Sequence, residues 1–270
     1  MLRVDDLDGP RVLPGIVERQ LEDLRWLGFR WDEGPGLPGV GAPYTQSECG
    51  EIYRGAIAKL MSLGLVYLCD CSRKEIASLA SAPHEGDDLH YPGTCRDKEM
   101  ARPMKRAPSL RLRVDERAEE FFTDARLGTQ RARVSEVAGD LVLQRGDGIY
   151  SYQLACAVDD GRSEITDLVR GEDLLRSTFC QRYLQRLLAI SKPSIYVHIP
   201  LIRGVDGERL AKRHGAPSIR QMRELGRTPE QVLGKVAYLL GMVDEEQPRR
   251  LDALAADART LAHGDNGRRA

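Results

Sequence analysis

Long apolar runs are missing from this 270-residue sequence, and none approaches the roughly 18 residues of a membrane span. The opening Met1-Leu2-Arg3-Val4-Asp5-Asp6 carries acidic groups that signal peptides avoid. An excess of one charge is also missing, since 40 basic side chains face 41 acidic ones for a net charge of −1. Any nucleic-acid surface must therefore be a local patch, and Arg96, Lys98, Arg102, Lys105, Arg106, Arg111 and Arg113 form the best one. No internal repeat is present, which excludes a solenoid. The six cysteines, Cys49, Cys69, Cys71, Cys95, Cys156 and Cys180, lack the spacing of a disulfide framework, and a chain of this size needs none. A cytoplasmic, reduced protein with no membrane partner and a real core follows.

What is present is a pattern of alternating strands and helices. Ile16, Val17, Leu21, Leu24 and Leu27 recur at helical spacing, with Pro14 opening the helix and Gly28 stopping it. A second helix is expected over 46–63, with Ile52, Ile57, Leu60 and Met61 on its apolar side. Leu2 to Val4, Val66-Tyr67-Leu68 and Leu110 to Val114 read as strands. Leu141-Val142-Leu143 and Ile149 to Tyr152 flank the turn Arg145-Gly146-Asp147-Gly148. Ile165 to Val169 and Tyr196 to Leu201 read as buried strands, joined by a helix from Glu172 that carries Phe179, Tyr183, Leu184 and Leu188. Strand, helix, strand in that order is a crossover of a parallel α/β sheet. Thr228-Pro229-Glu230-Gln231 is a helix cap followed by Val232, Val236, Leu239 and Leu240. Pro248 is expected to start a last helix with Leu251, Leu254 and Ala255 inward, before a disordered tail over 264–270.

Three groups of residues suggest chemistry. Cys69, Cys71 and Cys95 offer three thiolates to a structural zinc, which wants four ligands. On ligand chemistry alone His90 or His84 would be the fourth. Arg170 ends a strand before Gly171, where a planar guanidinium can hold a carboxylate with two bonds. Arg209, Lys212, Arg213 and His214 follow a strand and the turn Val205-Asp206-Gly207, a place to hold polyphosphate.

Arg209-Leu210-Ala211-Lys212-Arg213 resembles the KMSKS loop of class I aminoacyl-tRNA synthetases in the form used by the glutamyl branch. Three further stretches agree in order: Arg3-Val4-Asp5-Asp6-Leu7-Asp8; Trp26 to Pro35 with Tyr44-Thr45-Gln46-Ser47; and Tyr152-Gln153-Leu154-Ala155 with Val158-Asp159-Asp160 and Ile165 to Leu174. The resemblance covers 2–240 and is most specific for the short glutamyl-Q subfamily. It implies an α/β fold, a Rossmann-like parallel sheet of the class I synthetase kind, over 1–71 and 141–213. It further implies a zinc-bearing insertion over 72–140 and a C-terminal helical region over 214–263. The implied activity is ligation: L-glutamate is activated with ATP and Mg2+ and passed to queuosine in the anticodon loop of tRNA(Asp). The subfamily pattern implies Tyr91 as the fourth zinc ligand beside Cys69, Cys71 and Cys95, Arg170 on the α-carboxylate, and Tyr152 lining the glutamate pocket. Asp5 would meet the substrate ammonium, and Lys212, the catalytic cation, would meet the departing pyrophosphate. Arg209, Leu210, Ala211 and Arg213 would complete the ATP loop. A monomer is expected.

The family opens with a strand bearing a substrate-binding Arg and with the HIGH motif, ahead of its Arg3 equivalent. This sequence carries no His-x-Gly-His pattern and starts almost at that equivalent, so an N-terminally truncated sheet and an incomplete pocket are expected. The alternative readings are a catalytic fragment of an ordinary glutamyl-tRNA synthetase and an inactive tRNA-binding remnant.

Overall fold

The computed structural model describes residues 1–79, 90–202 and 217–256. Its strands are β1 (Val66–Cys69), β2 (Ser109–Leu112), β3 (Glu119–Asp124), β4 (Gly128–Arg133), β5 (Val142–Gln144), β6 (Asp167–Gly171) and β7 (Ile195–Ile199). Its helices are α1 (Ile16–Trp26), α2 (Gly50–Ser62), α3 (Arg73–Leu79), α4 (Val134–Ala138), α5 (Tyr152–Arg162), α6 (Leu175–Leu188), α7 (Ile219–Glu224) and α8 (Pro229–Leu239). Residues 251–256 are also helical. None of these helices is long and apolar enough to cross a membrane.

One sheet is antiparallel, in the order β1-β2-β5. The other runs β4-β3-β7-β6, with β6 and β7 parallel and Arg170 opposite His198. The β6–α6–β7 unit is the expected crossover. Strand β3 joins β7 in parallel at Asp124 and Tyr196, and β4 closes the edge antiparallel to β3. Strands drawn from 72–140 thus hydrogen-bond to strands on both sides of that segment in the chain. Leu2 to Val4 forms no strand beyond a single parallel bridge between Val4 and Thr45.

Strands β6 and β7 were expected to be buried outright, but each is buried on one face only. Phe122, Tyr196 and Phe179 of α6 pack together, whereas Val169 is 65% exposed and Phe121, Ile195 and Ile199 also face outward. A helix covers one side of this sheet; among the described residues nothing covers the other, so the strands alternate with period two.

The main core lies between α2, α5, α6 and the antiparallel sheet, around Tyr53, Leu60, Leu112, Leu143, Leu154 and Leu184. Helix α2 starts at Gly50, after a separate 3₁₀ turn over Gln46–Glu48 in which Asp6 holds the Ser47 amide and hydroxyl at 2.8 and 2.6 Å. Its inward face is Tyr53, Ile57 and Leu60; Ile52 and Met61 point to solvent. Helix α1 begins at Ile16, one residue after Gly15 in the left-handed region (φ 71°), so Pro14 lies in the preceding turn. Thr228 and Gln231 form a reciprocal capping box on α8 with Pro229 in its first turn. The buried side of that helix is Val232, Leu233 and Ala237, not Val236 and Leu239. Gly234 lies so close to the Gln247 backbone that a Cβ would collide with its carbonyl oxygen. That approach turns α8 toward Leu254, which is buried with Leu27, while Ala255 is exposed.

Candidate active site and metal centre

Helix α5 starts at Tyr152, where the Ser151 hydroxyl accepts the Leu154 amide at 3.2 Å. The segment Ile149 to Tyr152 is therefore not a strand; only Tyr150 bridges, to Gln144. Helical spacing then puts Tyr152, Cys156, Asp159 and Asp160 on one side of α5. Arg3 enters this side. It donates to Asp160 at 2.6 Å, to Cys156 Sγ at 3.2 Å and, through Nε, to Asp5 at 2.6 Å. Burial opposes its charge, but the Asp5 and Asp160 carboxylates help to hold Arg3 above its ordinary value. Buried Asp159 accepts from Gln46 at 3.0 Å, Tyr53 at 2.8 Å and Arg162 at 2.9 Å. Burial pushes the Cys156 thiol up to about 12, so it stays protonated at neutral pH.

Tyr152, at 36% exposure, opens this cluster to solvent. Burial raises its hydroxyl, Cys156 and Asp5 add to the rise, and Arg170 opposes it. The three residues expected to hold the amino acid therefore share one electrostatic neighbourhood. Arg170 sits at the end of β6, held on three sides. It donates through Nη1 to Gln181 Oε1 at 2.8 Å, through Nη2 to the Thr178 hydroxyl, and through Nε to His198 Nε2 at 3.3 Å. A guanidinium has five N–H groups. Among the described residues, one on each terminal nitrogen is left for a ligand carboxylate.

The thiols form a second centre at the end of β1. The sulfurs of Cys69, Cys71 and Cys95 all lie within 4.8 Å of one another. The Tyr91 hydroxyl lies 3.2 Å from Cys69 Sγ and 3.9 Å from Cys71 Sγ, and Cys71 and Cys95 Sγ are 3.6 Å apart. Zinc–thiolate bonds of about 2.3 Å in a tetrahedron set neighbouring ligand atoms about 3.8 Å apart, so the donor set fits zinc. His90 is exposed and bonds the Ser135 carbonyl at 2.8 Å; His84 lies outside the described residues. Burial raises the Cys69 thiol, but Tyr91, the Cys71 amide and Arg111 outweigh it and hold it below the ordinary value. Burial, Cys95 and Cys69 push Cys71 up to about 11. The Arg111 guanidinium stacks 3.7 Å over the Tyr91 ring. Gly139 lets Tyr91 sit there: its φ is 65°, and a Cβ would lie 2.5 Å from the Tyr91 carbonyl oxygen.

The basic stretch from Arg96 to Arg113 is largely tied internally. Arg96 pairs with Asp140, Arg102 with Asp70, Lys105 and Arg106 with Glu75, and Arg113 with Asp97. Arg209, Leu210, Ala211, Lys212 and Arg213 lie outside the described residues. Sequence reasoning assigned no role to Cys156, Thr178, Gln181, Asp124 or His198. Helical spacing from Tyr152 could have found Cys156; the pairing of His198 with Asp124, 74 residues away, leaves no local signal.

A family profile described as "tRNA synthetases class I (E and Q), catalytic domain" matches residues 1–254. The chain is 44% identical over 261 residues to a glutamyl-Q tRNA(Asp) synthetase of Symbiobacterium thermophilum, covering 94% of this chain and 80% of that one. It is 43% identical over 255 residues to one from Nitratidesulfovibrio vulgaris, covering 92% and 78%. A glutamate-tRNA synthetase structure from Elizabethkingia anophelis superposes with a TM-score of 0.71 at 25% identity, over 87% of this chain. The chain spans 54% of that larger structure.

Proposed function

The chain belongs to the glutamate and glutamine family of class I tRNA synthetases, and on that premise we propose that it activates L-glutamate with ATP and transfers the glutamyl group to queuosine at the wobble position of tRNA(Asp). The observation that carries the choice of acceptor is the similarity to glutamyl-Q tRNA(Asp) synthetases over more than nine-tenths of the chain.

In the first step a glutamate α-carboxylate oxygen attacks the α-phosphorus of ATP and pyrophosphate departs. In the second a hydroxyl of the queuosine base attacks the acyl carbon and AMP departs. Arg170 holds the α-carboxylate with its two remaining terminal N–H groups, and its bonds to Gln181 and His198 fix the plane of that fork. Asp5 receives the substrate ammonium while Arg3 keeps the carboxylate in place. Tyr152 forms the open wall of the pocket. Lys212 is assigned to the leaving pyrophosphate, with Arg209, Leu210, Ala211 and Arg213 as the rest of its sequence motif. Mg2+ neutralises polyphosphate charge when ATP is bound. Cys69, Cys71, Cys95 and Tyr91 would hold a zinc ion, which would supply a structural crosslink and no catalysis.

Glutamate-dependent exchange of label between pyrophosphate and ATP tests the activation step. Arg170→Ala should slow it about 30-fold or more, since losing a buried charged hydrogen bond costs about 2–5 kcal/mol. Exchange unchanged in the variant would make Arg170 a structural residue.

A further inference from the structure

Arg170 is oriented from behind by residues that reach it across three strands. The His198 side chain is fully buried on β7, directly opposite Arg170 on β6. Its Nδ1 lies 2.7 Å from Asp124 Oδ2, and Asp124, 1% exposed at the end of β3, also accepts the His198 amide at 3.0 Å. The other ring nitrogen, Nε2, lies 3.3 Å from Arg170 Nε and 3.0 Å from the Thr178 hydroxyl. A guanidinium N–H can only donate. Nε2 must therefore present a lone pair, which puts the single imidazole proton on Nδ1, facing Asp124. The Asp124 carboxylate is itself fixed, because its second oxygen accepts the Arg126 and Leu127 amides at 3.0 and 2.8 Å.

The opposite flank is equally determined. Gln181 offers Oε1 to Arg170, so its amide nitrogen faces Gln153 Oε1 at 3.2 Å, and Gln153 Nε2 in turn reaches Ser177 Oγ at 3.0 Å. The two amides thus have one orientation each.

We propose that Asp124 and His198 are positioning residues for glutamate recognition: Asp124 locks His198 as the neutral Nδ1–H tautomer, and its bare Nε2 fixes the Arg170 fork. The proposal rests on Arg170 meeting the substrate carboxylate.

Nitrogen NMR of the imidazole in the intact protein at neutral pH should show a protonated Nδ1 and a bare Nε2. An Nε2–H tautomer or an imidazolium would overturn the proposal. In exchange kinetics His198→Phe should raise the glutamate KM about tenfold or more, as expected for a lost hydrogen bond to a charged group, with kcat and the ATP KM changing less. His198→Gln, which returns an acceptor near the Nε2 position, should restore most of that loss. Thermal melts establish that both variants fold. If Arg170→Lys leaves the glutamate KM unchanged, the carboxylate assignment and this proposal fall together. If Arg170→Lys raises it and His198→Phe does not, the positioning role alone is wrong. Equal KM increases for Phe and Gln would also reject it.

Discussion

At the scale of single residues, the charged groups of the site are held by partners distant in the chain. Arg3 and Asp160 are 157 residues apart and share a 2.6 Å ion pair with little exposure on either side. Arg3→Met would leave Asp160 buried without its cation, and breaking such a pair costs about 3–5 kcal/mol. Urea unfolding should show a loss of that size; a loss under about 1 kcal/mol would mean that Asp160 finds another partner or takes a proton. His198 gives a pH signature of its own. Burial and the Arg170 charge hold its imidazole below the ordinary value, against Asp124. On acidification the unfolded chain takes up this proton first. The contribution is therefore fully present above the unfolded value of about 6.5 and is lost progressively as pH falls below it. The stability difference between the protein and His198→Gln should shrink from about pH 7.5 to about pH 5.5. A difference constant across that range contradicts the neutral, buried imidazole.

At the scale of elements, the candidate metal centre depends on one backbone position. Gly139 pairs with Tyr91 in a parallel bridge and adopts a φ of 65°. Gly139→Ala is both strained there and in collision with the Tyr91 carbonyl, so it should displace the Tyr91 hydroxyl from the sulfurs. Protein purified without chelator should carry about one zinc per chain, and the variant clearly less. Zinc below about 0.2 per chain in the unaltered protein would remove the centre altogether. The elements legible in the sequence were those with a strong local signal. The 3.6-residue period of α6, the β6–α6–β7 order and the Thr228 capping box all stand where the pattern puts them. The inward face of α8 was not legible, because contact with the Gln247 backbone sets it and leaves no periodic mark. Nor was the one-sided burial of β6 and β7, since Val169 and Ile195 are as apolar as core residues yet face outward. Of the proposed site, Asp5, Tyr152 and Arg170 are candidates that ordered motifs alone single out. The supports of Arg170, which are Thr178, Gln181, His198 and, behind it, Asp124, meet only once three strands and a helix are assembled.

At the scale of the whole molecule, the candidate amino-acid cluster and the candidate metal centre belong to one framework. Strand β1 ends in Cys69, pairs with β2 and packs on the core that α2 and α5 share. The Tyr67 hydroxyl on the same strand donates to Asp140 at 2.7 Å, and Asp140 also takes Arg96 and the Val114 amide. A metal held by these thiols would fix the lobe that carries Tyr91 and Cys95 against β1, apart from the cluster around Arg3 and Arg170. The central claim concerns where glutamate goes. The protein, ATP, Mg2+ and labelled glutamate are incubated with tRNA(Asp) bearing queuosine, with the same tRNA carrying guanosine at the wobble position, and with tRNA(Glu). Label is expected only on the queuosine-containing tRNA, and nuclease digestion should return it on the queuosine nucleoside. Label on the 3′-terminal ribose of tRNA(Glu), or transfer indifferent to queuosine, would contradict the account.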